Sequence, residues 1–206
     1  MEIILQLFFL FFSVVIHECA HGWVAYLRGD STAKEEGRLT LNPIPHIDPF
    51  GTVIWPLLQW FTVNHVFFAY AKPVPINSSQ FKNPRRDILW VGLAGPASNF
   101  LLGLISGVLV RFYLDNMILL PKVIVHPLIM FSILNMWLAF VNLIPIPPLD
   151  GSRILAGLLP RRFLPALFQI ERVGIFIILL LIFTDFFGKF IAPLVQITVQ
   201  WITGLH

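Results

Sequence analysis

From Ile3 to Leu27 the chain runs 25 positions with a single Asp, Glu, Lys or Arg, Glu18, in a stretch of Phe, Leu, Ile and Val. A helix that long exceeds the roughly 30 Å hydrocarbon core of a bilayer. Span-length apolar runs recur at 88–113 and 123–144, with two shorter ones near 171–184 and 187–203. Composition agrees, because 57% of the 206 residues are hydrophobic, 12% are charged and the mean hydropathy is +0.80. The fold expected is therefore all-α and integral to the membrane, a polytopic helix bundle of about five to six transmembrane segments. One membrane-embedded domain is expected over 1–206, with its core at 3–160 and C-terminal helices at 168–204.

Several function classes fall away early. The net charge of +3 is modest and no basic tract suggests nucleic acid. A single cysteine, Cys19, excludes an intramolecular disulfide framework. No Lys or Arg precedes the first run and no small-x-small site ends it, so it reads as a retained span rather than a cleaved leader.

The first span carries His17-Glu18-Cys19-Ala20-His21. Histidines four apart lie one turn apart on a single helix face, and Glu18 sits about 100° round from His17, close enough to hold a water on a metal bound there. Cys19 faces away and reads as packing. Two imidazoles and a carboxylate in lipid need something to repay their desolvation, and ionisable groups at that depth are functional by default. A bound metal would repay it.

Further along, 28–48 is a polar loop that ends in the proline-rich stretch Leu41 to Pro49. Residues 50–71 are apolar but broken by Gly51, Pro56 and Thr62 to His65, which suggests a re-entrant or short β element between the first and second core helices. In 88–113, Gly95, Asn99, Gly103 and Gly107 recur every four residues, a stripe that lets helices in lipid approach closely. The run 123–144 ends in Asn142 to Gly151, where Pro145, Pro147 and Pro148 stop the helix with Asp150 close behind. His65, His126 and Trp55, Trp60, Trp90, Trp137 and Trp201 read as interfacial or core groups.

Cations suggest a topology. If 50–71 does not cross, 11 of the 14 Lys and Arg share one side, leaving Arg111, Lys122 and Lys189 on the other. The positive-inside rule then puts the end of the first span in the cytoplasm. His17 and His21 would lie roughly 9–15 Å inside that face.

A catalytic zinc usually takes three protein ligands and leaves a position for water. Two candidates are His17 and His21. For the third, Asp48, His46 and Asp150 compete, and Asp150 is favoured because the proline-rich unwinding points it inward at a matching depth. A membrane metal transporter could use the same cluster as a transit site, but it needs polar groups converging from both sides.

Three ordered motifs carry a resemblance: His17-Glu18-x-x-His21, Ala94-Gly95-Pro96-Ala97-Ser98-Asn99, and Asn142-Leu-Ile-Pro145-x-Pro147-Pro-Leu-Asp150-Gly151. Together, over residues 10 to 157, the chain resembles the site-2 protease family of intramembrane zinc metalloproteases. Residues 41–51 are similar to its compact bacterial and archaeal branch, which lacks PDZ or CBS domains. The resemblance implies one Zn2+ per chain on His17, His21 and Asp150, with Glu18 as the catalytic acid/base. It also implies that Asn142 helps bind the substrate carbonyl. The implied substrate is a transmembrane protein cut near the cytoplasmic face, and the implied location is the prokaryotic plasma membrane. Extended backbone at 41–49 or 65–76 could pair with the unwound substrate.

Overall fold

The computed structural model describes residues 2–54, 57–58, 61–62 and 71–205, which form helices and irregular connections with no strand among them. The principal helices are α1 (Glu2–Leu27), α2 (Pro84–Leu114), α3 (Lys122–Asn142), α4 (Asp150–Leu158), α5 (Leu164–Glu171), α6 (Gly174–Phe183) and α7 (Ala192–Thr203).

Three helices are long and apolar enough to cross a membrane, over Leu5–Leu27, Pro84–Leu114 and Lys122–Asn142. The two C-terminal runs do not make separate full-length spans. With ten residues, α6 rises only about 15 Å. Past it, Asp185 takes a left-handed backbone (φ 55°). The chain resumes as a π-helical turn, Phe187–Ile191, that leads into α7, and the two halves meet at 72°. The described residues thus supply three spans, or four if the bent pair counts as one, fewer than the five to six expected. Apolarity in 171–203 is continuous enough to suggest two crossings, but the break around Asp185 divides it into short pieces. Of the element expected at 50–71, only isolated parts are described: a π-helical turn at Pro49–Ile54 and five positions beyond it. Trp55, Trp60, His65 and the rest of 65–70 lie outside the described residues, and 71–76 are irregular rather than strand.

At the centre, α2 contacts α1, α3, α4 and α7. Gly95, Asn99, Gly103 and Gly107 are all buried along it. A Cβ on Gly103 would sit 3.0 Å from Met136 Cε and 3.1 Å from the Ser132 carbonyl of α3, so the stripe lets backbones close together as expected. On another face of α2, Leu101, Ile105 and Leu109 are exposed, while Ser13, Asn99, Ser106, Ser132 and Asn135 are buried between helices. Polar groups inside and apolar ones outside is the arrangement that lipid selects.

Two features position the site. Where α1 ends, the following loop and the segment after Ala71 are tied together. Buried Asp30 accepts the N–H groups of Thr32 (3.0 Å) and Asn77 (2.6 Å), and the Lys72 N–H donates to the His46 carbonyl (2.9 Å). After α3 the chain doubles back so tightly that a Cβ on Gly151 would overlap the Leu143 and Ile144 carbonyls. That return seats the start of α4 against α2 at Gly92.

Candidate metal centre

The face of α1 that bears His17 and His21 is pressed on Gly95 of α2, where any Cβ would overlap both imidazoles. A glycine there is a steric requirement of the cluster. The third member, Asp150, arrives as the first residue of α4, and all three are buried. The two Nε2 atoms are 3.0 Å apart. Asp150 Oδ2 lies 3.0 Å from that of His17 and 3.2 Å from that of His21. A tetrahedral zinc with bonds near 2.0–2.1 Å would need ligand separations of about 3.3 Å, so the triangle is within a few tenths of an ångström of that shape.

Each imidazole is also held from behind. His17 Nδ1 donates to Asn99 Oδ1 (2.5 Å) and His21 Nδ1 donates to the Val91 carbonyl (2.6 Å), both from α2. Facing acceptors put the proton on Nδ1 in each ring, so both Nε2 lone pairs point at Asp150. Asn99 is itself oriented, because its Nδ2 donates to Asn135 Oδ1 (2.9 Å) and Asn135 Nδ2 donates to Ser13 Oγ (2.9 Å). That buried chain ties α1, α2 and α3 together at one level.

Asp150 makes no helix cap. Its Oδ1 accepts from Arg153 Nη1 (3.2 Å), and its Oδ2 serves the histidines. Three acceptor atoms converging in a buried site need a positive charge among them. A shared proton satisfies one contact, whereas a divalent cation satisfies all three. The donor set, two imidazole nitrogens and one carboxylate oxygen, suits zinc.

Glu18 stands beside this triangle, half-buried, with Oε2 accepting the Val74 N–H at 2.8 Å. The other candidates are elsewhere. Asp48 Oδ1 accepts the N–H groups of Phe50 (3.0 Å) and Gly51 (2.7 Å) and so closes a local turn. His46 is fully buried with Nε2 against the Thr40 carbonyl (2.9 Å), and Cys19 Sγ donates to the same carbonyl (2.9 Å). Among the described residues the one group of three able to share a metal is His17, His21 and Asp150. Asn142 turns its amide back on its own helix, donating to the Leu138 carbonyl (3.0 Å). Asn135, Ser13 and Arg153 were not singled out from sequence. The first two carried a signal all the same, being amide and hydroxyl groups inside apolar runs.

Residues 116–183 match the model of peptidase family M50. Over 183 residues the chain is 40% identical to YwhC of Bacillus subtilis (strain 168), a provisionally named zinc metalloprotease, covering 87% of this chain and 80% of YwhC. Rip2 of Mycolicibacterium smegmatis, also a provisionally named zinc metalloprotease, is 27% identical over 89% of this chain and 68% of its own. Zinc metalloprotease MJ0392 of Methanocaldococcus jannaschii is 30% identical over 154 residues, 75% of this chain and 34% of that longer protein. No solved structure matches the chain.

Proposed function

The chain belongs to peptidase family M50, the site-2 protease family of metalloproteases, and on that premise we propose that it is an intramembrane zinc protease with His17, His21 and Asp150 as ligands and Glu18 as general base. The observation that carries the reading is the triangle of acceptors at 3.0–3.2 Å with both Nδ1 atoms already engaged. Such outer hydrogen bonds are how proteins aim metal-binding imidazoles.

Zinc held there supplies a Lewis acid that acidifies water and polarises the scissile carbonyl. Glu18 takes the water proton and returns it to the leaving amine. Its Oε2 is fixed by the Val74 N–H, which leaves Oε1 for that exchange. Asn142 donates to the developing oxyanion through the Nδ2 hydrogen that the Leu138 carbonyl does not take. Gly95 leaves just enough room for the two imidazoles between α1 and α2, because a Cβ there would overlap both.

The substrate is a transmembrane segment of another protein, unwound near the cytoplasmic face, because an intact helix shields its carbonyls with its own hydrogen bonds. His17 and His21 lie in the second half of α1, ten and six residues before its end at Leu27, a depth of about 9–15 Å. Residues 1–206 form one membrane-embedded domain, placed in the prokaryotic plasma membrane.

Metal analysis of purified wild type beside variants tests the reading. We expect about one zinc per chain, retained in Glu18→Gln without proteolysis and lost in His21→Ala and Asp150→Ala. Zinc that survives Asp150→Ala but not Asp48→Ala would move the third ligand to Asp48.

A further inference from the structure

Arg38 is 5% exposed, yet no carboxylate comes within ion-pair distance of it among the described residues. A buried guanidinium without a counter-ion is expensive unless its donors do something specific. Its Nε has no partner, and its Nη2 is spent on backbone, donating to the carbonyls of Lys72 (2.7 Å) and Pro73 (3.1 Å). The next N–H along the chain, that of Val74, is the one that donates to Glu18 Oε2.

Segment 71–76 is held from two more sides. The Lys72 N–H is on the His46 carbonyl, and the Val74 side chain is buried against Gly22, where a Cβ would sit 3.0 Å from Val74 Cγ1. Gly22 follows His21 directly, so the segment crosses α1 at the level of the metal triangle. One continuous path therefore runs from the Arg38 guanidinium through two carbonyls and one peptide N–H to the Glu18 carboxylate.

We propose that Arg38 is a positioning residue for catalysis: it fixes segment 71–76 so that the Val74 N–H holds one oxygen of Glu18 and leaves the other aimed at the site. This rests on Glu18 as general base. Glutamate has three side-chain torsions, and a base must stay within hydrogen-bond reach of its proton to work. The two N–H groups of Nη2 point in directions fixed by the guanidinium plane, so together they hold two consecutive carbonyls more firmly than a freely rotating ammonium could.

Two variants interrupt the path at different points. Arg38→Met removes the guanidinium. Val74→Pro removes the N–H and keeps an apolar side chain of similar size: Val74 lies between Pro73 and Pro75, and a residue before proline is held in extended backbone that proline itself adopts. The readout is cleavage of a tagged single-span helix, chosen because the wild-type protein cuts it. We expect each variant to lower kcat about ten- to a hundredfold with KM and bound zinc unchanged. The double variant should fall no further than the worse single one, since both break one path. Arg38→Lys should keep more activity than Arg38→Met.

Wild-type kcat in Val74→Pro, additive losses in the double variant, or zinc lost in step with activity in Arg38→Met would each overturn the proposal. Glu18→Gln run alongside separates the failures. If it is inactive while Val74→Pro cuts normally, the positioning role alone is wrong. If Glu18→Gln itself cuts, the base assignment fails and this inference fails with it.

Discussion

At Asn99 one amide decides which nitrogen of His17 faces the site. Its Oδ1 accepts from Nδ1 and its Nδ2 is committed to Asn135, so the amide cannot flip without breaking both bonds. Asn99→Ala should therefore lower zinc affinity about ten- to a hundredfold, read by chelator competition, with helix content unchanged by circular dichroism. Cys19→Ala should leave zinc content and cleavage as they are, because the thiol meets the Thr40 carbonyl rather than the triangle. The histidine pair was legible in the sequence because helical spacing alone puts 17 and 21 on one face. Asp150 was legible only as one of three rivals. What separated it from Asp48 was the reversal after α3, which no local pattern announces. Asn135 and Ser13 escaped notice because each is an ordinary residue in its own helix, and their meaning lies in a pairing between positions 122 apart.

Among the elements, α2 was read correctly as a close-packing span, but its glycines do more than admit helices. Gly95 makes room for imidazoles, whereas Gly103 makes room for α3. Substitution should separate these roles. Gly95→Ala is expected to abolish zinc binding, since its Cβ would occupy the space of both rings. Leu101→Ala on an exposed face of the same helix should leave zinc binding intact. Metal analysis of the two purified variants checks both. The C-terminal elements were less legible. Hydropathy averages over a window and does not register where a helix stops, so two apolar runs passed for two spans although the chain turns by 72° between them. The polar cap was half legible: 28–48 read as loop, but nothing in it showed that Arg38 would bury its charge against the backbone of 72 and 73.

For the molecule as a whole, the Arg28–Asp87 contact (3.7 Å) and the Asp30–Asn77 hydrogen bond join the loop after α1 to the segment that leads into α2, and the distribution of cations predicts that both lie on one side of the membrane. Single cysteines at Glu36 and Asn83, both exposed, introduced on a Cys19→Ala background, should label from the same face of sealed vesicles. Labelling from opposite faces would overturn this topology. Removing zinc with a chelator should stop cleavage while the helices persist, because α2 packs on α3 and α7 through contacts away from the triangle. The triangle itself has a consequence for biogenesis. Its first and last members are 133 positions apart, and at about 5–20 residues per second a ribosome needs roughly 7–27 s to pass from one to the other. For that interval α1 carries two imidazoles without the carboxylate that completes their cluster. The order of synthesis thus sets the order of assembly, because the cluster cannot close until the reversal after α3 has been made.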